Sequence, residues 1–495
     1  MSWLPAPLLI LHLAVFVAVM LRILARRTTP GVAMAWLLFV LLVPVAGITL
    51  YVMVGERRLG RRWIERAEAE RDALSRRYVS LSAASGLAPE AVGPMGAQVA
   101  RLAQSLVGIP PMRGHAVTLL SSSDRILRSM IDDVEACQTR CVLEFYIWHE
   151  GGLVDALIDG LKRAARRGVR VRALMDGLGS RPFVMRGAIG PMRDAGIEVV
   201  VVLPASALRM LVARADLRDH RKIAVFDDRV AYTGSFNLAD PRHFKREAGV
   251  GEWIDAMVRV QGPASALLAS ISDTMARLQM GARLRDARPE AGASGPLPAE
   301  GPPAVRERVT DAGDVKLQPF PSGPGFAFHH VESVVLTAIY AARREIVLTT
   351  PYFAPGESVV TALRSAAHRG VAVTLVVPRH CDSRLVQFAS ASYFDELLAA
   401  GVQIQRFDGG LLHTKSLVID REMSVFGTVN FDLRSFHLNF ELSLLAYDRA
   451  FAAELLALQQ RYLLDCEPLD LGPWRGRPFW RRVVENAAQL ASPLL

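Results

Sequence analysis

Two histidines in this chain each stand two residues before a lysine, inside clusters that match one another position by position. The first runs His220-Arg221-Lys222, through Ile223-Ala224-Val225-Phe226 to Asp227, and on to Gly234-Ser235-Phe236-Asn237. The second runs His413-Thr414-Lys415, through Ser416-Leu417-Val418-Ile419 to Asp420, and on to Gly427-Thr428-Val429-Asn430. The apolar run after each lysine reads as a strand, where side chains alternate between faces, so each histidine and its lysine project together. Asp227 and Asp420 fall on the opposite parity and read as structural, closing the strand end. Gly234 and Gly427 permit a tight turn that brings the Ser235 or Thr428 hydroxyl and the Asn237 or Asn430 amide up to an anion.

That anion is best read as a phosphodiester. Negative charge on its non-bridging oxygens grows as a nucleophile adds to phosphorus, and lysines and asparagines around it stabilise that charge. One neutral imidazole attacks while a second, protonated, donates to the departing alkoxide, a division of labour suited to histidine near neutral pH. The pair predicts a bell-shaped rate between about pH 5 and 9. A cleft with one histidine from each side needs no metal ion and no cofactor.

The elements that must position these clusters are also duplicated. Cys141 to Trp148 reads as a strand, Leu153 to Arg167 as an amphipathic helix and Val169 to Met175 as the next strand. Ile346 to Tyr352, Ser358 to Arg369 and Val371 to Val377 repeat that βαβ unit. A repeat of this length is a duplicated domain rather than a solenoid. The expected organisation is a hydrophobic segment 1–56, a connector 57–115, a first lobe 116–285, a Pro/Ala/Gly-rich linker 286–305, a second lobe 306–472 and a basic, aromatic segment 473–495. That last segment carries Trp474, Phe479 and Trp480 among Arg475, Arg477, Arg481 and Arg482, which suits a bilayer interface or docking onto the body.

The apolar runs Trp3 to Leu21 and Gly31 to Gly55 each reach the roughly 20 residues needed to cross a bilayer and read as a two-helix transmembrane hairpin. The arginines that follow, Arg57, Arg58, Arg61, Arg62 and Arg66, lean toward a cytoplasmic body. A net charge of +9 suits nucleic acid or an anionic lipid surface, and the two spans favour lipid over nucleic acid. The four cysteines, Cys137, Cys141, Cys381 and Cys466, have no zinc or redox spacing. His329 and His330 would face opposite ways on a strand and read as surface histidines, and Tyr352 and Phe353 read as core.

The paired His-x-Lys-x4-Asp clusters resemble the signature motifs of the phospholipase D superfamily. That resemblance implies two α/β lobes with pseudo-twofold symmetry, behind the transmembrane hairpin, and a covalent phosphohistidine. By position, His220 resembles the nucleophile and His413 the general acid; Lys222, Lys415, Asn237 and Asn430 match phosphate contacts, Ser235 and Thr428 lie in the same turns, and Asp227 and Asp420 complete the catalytic motif. The family also orients its imidazoles with carboxylates, matched here by Asp255 and Glu441. Thr350-Pro351-Tyr352-Phe353, Asn430-Phe431-Asp432-Leu433-Arg434-Ser435, Asn439-Phe440-Glu441 and the N-terminal Pro44-Val45-Ala46-Gly47 are similar to those of cardiolipin synthases. This implies phosphatidylglycerol as donor and acceptor, at a bacterial inner membrane. A hydrolytic phospholipase D or another phosphatidyltransferase is the nearest alternative; a nuclease and a non-enzymatic scaffold are more distant ones. The sequence sets no oligomeric state.

Overall fold

The computed structural model describes residues 6–25, 30–51, 65, 76–204, 217–280, 314–324, 330–490 and 492. The expected linker 286–305, the five arginines after the second apolar run, and His329 lie outside the described residues. The chain forms two compact units, residues 1–65 with 205–217, and residues 66–204 with 218–495.

The first unit holds helices Ala6–Leu24, Pro30–Leu42 and Pro44–Leu50. The second apolar run was expected as one span, and it is instead broken at Val43-Pro44. Val43 leaves helical geometry at φ −129°, and proline opens the next helix because its missing N–H costs nothing at the first turn. A 13-residue helix rises only about 20 Å against a hydrocarbon core of about 30 Å. Among the described residues no helix is long and apolar enough to cross a membrane.

The second unit carries the duplicated clusters. Its first half contributes strands β1 (Met112–Leu120), β2 (Arg140–Phe145), β3 (Arg170–Asp176), β4 (Glu198–Val202), β5 (Lys222–Phe226), β6 (Val230–Gly234), β7 (Trp253–Ile254) and β8 (Met257–Gln261). The second half contributes β9 (Val315–Ser322), β10 (Glu345–Thr349), β11 (Phe353–Ala354), β12 (Ala372–Pro378), β13 (Gln403–Phe407), β14 (Leu411–Leu412), β15 (Ser416–Ile419), β16 (Met423–Gly427), β17 (Phe431–Asp432), β18 (Glu441–Ala446) and β19 (Cys466–Pro468). Helices Leu153–Arg166 and Glu357–His368 connect parallel strands in the two halves, as their amphipathic spacing predicts.

One sheet runs through both halves. From the central β1–β9 pair it proceeds β8, β6, β5, β2, β3, β4 on one side and β18, β16, β15, β10, β12, β13, β19 on the other. Apart from the added β19, corresponding strands occupy corresponding places. The core is shared as well: Ile223, Val258 and Leu267 belong to the same hydrophobic cluster as Leu348, Leu417 and Leu444. Helix Pro94–Val107, within the expected connector, buries Val99, Ala100, Ala103 and Val107 in that cluster, so the folded body begins well before residue 116.

The C-terminal segment docks on the body through Trp474, which is buried against Phe394 at 5.7 Å between ring centroids, with the Arg477 guanidinium over its ring at 4.2 Å. Helix Phe479–Leu490 leaves Phe479 and Trp480 exposed. His330 is buried in the first turn of helix His330–Ala341, not on the surface: the segment is helical, so strand parity does not apply to it. Phe353 is core, whereas Tyr352 is partly exposed at the site described next.

Candidate active site

Each motif strand is the first arm of a tight hairpin. Asp227-Asp228 and Asp420-Arg421 all have φ between 50° and 57°, and Arg229 N–H and Glu422 N–H close the turns onto Phe226 and Ile419 carbonyls. Both central residues in the left-handed region define the turn type whose twist suits a two-stranded arm, and aspartate tolerates that region. The Asp227 carboxylate accepts backbone N–H bonds from Gln138, Thr139 and Arg140 and the Thr139 hydroxyl. Burial alone would push its pKa up, but these donors hold it down at about 2. Asp420 does the same for Arg343, Arg344 and Glu345 N–H. Neither aspartate reaches a histidine; both pin the strand end to the start of the neighbouring strand. Gly234 and Gly427 end β6 and β16 rather than making turns. A Cβ there would lie 2.4 Å from Ala256 O and 2.2 Å from Leu442 O, so the requirement is close backbone approach.

The histidines precede their strands, and the opposite half of the molecule holds each of them. β14, just before His413, pairs in parallel with β7, just before Asp255. Asp219, just before His220, bridges in the same way to Phe440, just before Glu441. His413 N–H donates to Ile254 O at 2.8 Å, and His220 N–H to Phe440 O at 2.9 Å. The carboxylates therefore cross over: His220 Nδ1 lies 2.9 Å from Glu441 Oε1, and His413 Nδ1 lies 2.7 Å from Asp255 Oδ1. With Nδ1–H donated to a carboxylate, each Nε2 is the nitrogen left for chemistry.

Glu441 is itself held. Thr428 Oγ1 donates to its Oε2 and Asn439 Nδ2 to its Oε1. Thr428 also accepts Leu442 N–H, and Ser235 accepts Ala256 N–H while donating to Ala256 O. These hydroxyls were expected at the phosphate; their bonds are committed instead to the carboxylate strands, because the glycine approach brings the two backbones into contact. Of the expected asparagines, Asn237 accepts Ile147 N–H through Oδ1, and Asn430 Oδ1 has no hydrogen-bond partner among the described residues.

Both lysines are buried beside the histidines. Lys222 Nζ donates to His220 O and Lys415 Nζ to His413 O, each at 2.8 Å, and Lys415 Nζ also lies 2.8 Å from His413 Nε2. No hydrogen bond engages His220 Nε2 among the described residues, and the His220 side chain is 10% exposed against 3% for His413. Burial, reinforced by the lysines, pushes both imidazoles below their ordinary range, His413 to about 4. Burial also lowers Lys222 to about 8 and raises Glu441 to about 7. The expectation was one neutral and one charged imidazole; here burial shifts both toward the neutral form, and burial lowers Lys415 well below its ordinary value as well.

Aromatic rings that sequence reasoning had not assigned to the site line it. Tyr146 sits 5.1 Å from the His220 ring, and Trp253 sits 4.5 Å and Tyr352 6.4 Å from the His413 ring. The Tyr352 hydroxyl donates to Asp382, which also accepts Lys245 Nζ at 3.0 Å. An aromatic at or just past the end of β2 and β10 was the available signal for Tyr146 and Tyr352; nothing local marks Asp382.

Both histidine clusters fall within regions that match a known family. The family described as "Cardiolipin synthase, PLD-like domain" matches residues 130–250 and 335–462, and the phospholipase D-nuclease N-terminal family matches 13–56. Cardiolipin synthase A of Cronobacter sakazakii is 40% identical over 477 residues, 96% of each chain, and that of Yersinia pestis matches at the same identity and coverage. This chain belongs to the cardiolipin synthase family of the phospholipase D superfamily. In fold, the cardiolipin synthase body is similar to the crystal structure of phosphatidylserine synthase from Haemophilus influenzae, with TM-score 0.57 and 15% identity over 80% of this chain and all of that one. As a cardiolipin synthase it is a phosphatidyltransferase of the phospholipase D type.

Proposed function

We propose that the site transfers a phosphatidyl group from one phosphatidylglycerol to another. His220 Nε2 attacks phosphorus, the N–P bond forms as the P–O bond to glycerol breaks, and His413 gives that oxygen its proton. His413 then takes the proton of a hydroxyl on the second lipid, whose oxygen displaces His220 and yields cardiolipin. The observation that carries this reading is the crossed pair of imidazole–carboxylate bonds, which orient two histidines from opposite halves into one cleft with both lysines. The unengaged, more exposed Nε2 of His220 supports it as the nucleophile. Burial is the main cause that holds His413 low, with the lysines adding to it; an arriving phosphodiester anion beside the ring, together with Asp255 on Nδ1, favours the imidazolium.

Residues 1–56 serve in this reading as a membrane-inserted hairpin at a bacterial inner membrane, with the body on the cytoplasmic side; their apolar composition and the arginines after them support it. A first lobe ending near residue 285 and a second over 306–472 belong to the same proposal, with helix Pro94–Val107 counted as part of the folded body rather than of the connector. The test is detergent-purified protein incubated with phosphatidylglycerol alone, products resolved by mass. Cardiolipin with released glycerol is expected; phosphatidic acid alone overturns transfer in favour of hydrolysis.

A further inference from the structure

The carboxyl ends of β10, β12 and β13 open onto a cavity of about 280 Å³ that the chemistry above does not use. Its floor and walls are apolar, with Phe388, Phe394 and Trp474 among them, and four arginines reach it: Arg379, Arg384, Arg406 and Arg481. Open α/β sheets bind ligands at this end of their strands. The cavity adjoins the catalytic cleft at two points. Pro351 lines it and the next residue, Tyr352, stands against His413; Cys381 lines it and the next residue, Asp382, holds the Tyr352 hydroxyl.

The arginines are not fully paid off by acids. Arg379 pairs with Asp408 and Glu467, Arg406 shares Glu467, and Arg481 shares Glu485 with Arg477. Arg384, in the first turn of helix Arg384–Ser392, has no ion pair among the described residues. Arg406 Nε is shielded from water and has no hydrogen-bond acceptor among the described residues. Burial, with Arg379 and Arg481 nearby, pulls the Arg406 guanidinium below its ordinary value. An anion would satisfy Nε and relieve that crowding. Planar guanidinium forks fit phosphate oxygens, and the aromatic walls fit hydrocarbon. The helix that supplies Arg481 also exposes Phe479, Trp480 and Val483 to solvent, an arrangement of aromatic and basic side chains suited to a bilayer surface.

We propose that this cavity is the acceptor-lipid subsite, holding the phosphodiester of the second phosphatidylglycerol on Arg384 and Arg406 with acyl chain against Phe388 and Trp474. The inference rests on the transfer reading above. A lipid anchored there by its own phosphate presents its free glycerol hydroxyls past Tyr352 toward His413.

The test uses the full-length protein with phosphatidylglycerol in detergent micelles and ethanol as a small uncharged competing acceptor, measuring cardiolipin and phosphatidylethanol together. Arg384→Gln and Arg406→Gln are expected to lower cardiolipin formation about tenfold each, the scale of one charge-assisted hydrogen bond, while phosphatidylethanol stays within about twofold of the parent. Arg406→Lys, which keeps the charge, recovers part of the loss. Equal loss of both products, or loss of neither, overturns the subsite while leaving the transfer reading intact. A parent protein that makes phosphatidylethanol but no cardiolipin overturns both. Inorganic phosphate equimolar with the lipid should leave the product ratio unchanged; a fall in cardiolipin alone would assign the cavity to free phosphate and overturn the lipid assignment.

Discussion

His220 and Glu441 come from opposite halves of the molecule and meet at 2.9 Å, with Phe440 and Asp219 bridged immediately before them. The reciprocal contact, His413 to Asp255, is built the same way. Each half therefore supplies a histidine that only the other half can orient.

Removing one carboxylate charge should cost rate rather than fold. Glu441→Gln and Asp255→Asn are expected to lower kcat by roughly 10²- to 10⁴-fold, as when a triad loses its orienting acid. Thermal melting of the variants controls for folding, and near-parental turnover by either one rules out the orienting role.

Thr428 acts through Glu441, so Thr428→Val should reduce kcat by about tenfold with KM nearly constant, the pattern of an interaction felt mainly in the transition state. A rise in KM with kcat unchanged would instead return the hydroxyl to the phosphate.

The pH dependence should differ between free and loaded enzyme. Protonated His413 is needed to donate, and its pKa of about 4 in the unliganded site places the descending limb of kcat/KM on the acid side. Substrate anion raises that pKa, so the descending limb of kcat lies at higher pH. Coincident limbs in the two profiles would contradict anion-triggered charging of His413.

Asp227 should behave as a structural residue. Asp227→Ala leaves three backbone N–H groups without their acceptor and is expected to destabilise the body by about 2–4 kcal/mol in denaturant unfolding. The fraction that remains folded keeps its kcat per active site; a large fall in kcat would make the aspartate part of the chemistry.

His115 joins the halves away from the cleft: Nδ1–H donates to Val315 O at 3.0 Å, and Nε2 accepts Ala264 N–H at 3.2 Å. Burial holds its pKa at about 4, below an unfolded value near 6.5. The unfolded chain thus binds the extra proton first, and this stability is complete above pH 6.5 and lost as pH falls toward 4. His115→Gln should flatten the acid side of a plot of unfolding midpoint against pH in that window, and an unchanged plot would exclude the residue.

The motif chemistry and the βαβ repeats were legible because both rest on local rules. Strand parity separated Asp227 from His220, and helical spacing marked Leu153–Arg166 within a residue. The crossing of Glu441 and Asp255 was not legible, since nothing in either strand says which half its end will meet. The bonds of the Ser235 and Thr428 hydroxyls to the carboxylate strands were not legible, because glycine was read as a turn former when it is a point of backbone contact. The second apolar run was read by composition as one span, and Pro44 divides it.

The crossed pairing also has a consequence in time. Glu441 lies 221 residues after His220, so a ribosome must finish almost the whole chain before the first histidine acquires its partner. A polypeptide truncated before Glu441 lacks the carboxylate that orients His220, however well its first half folds.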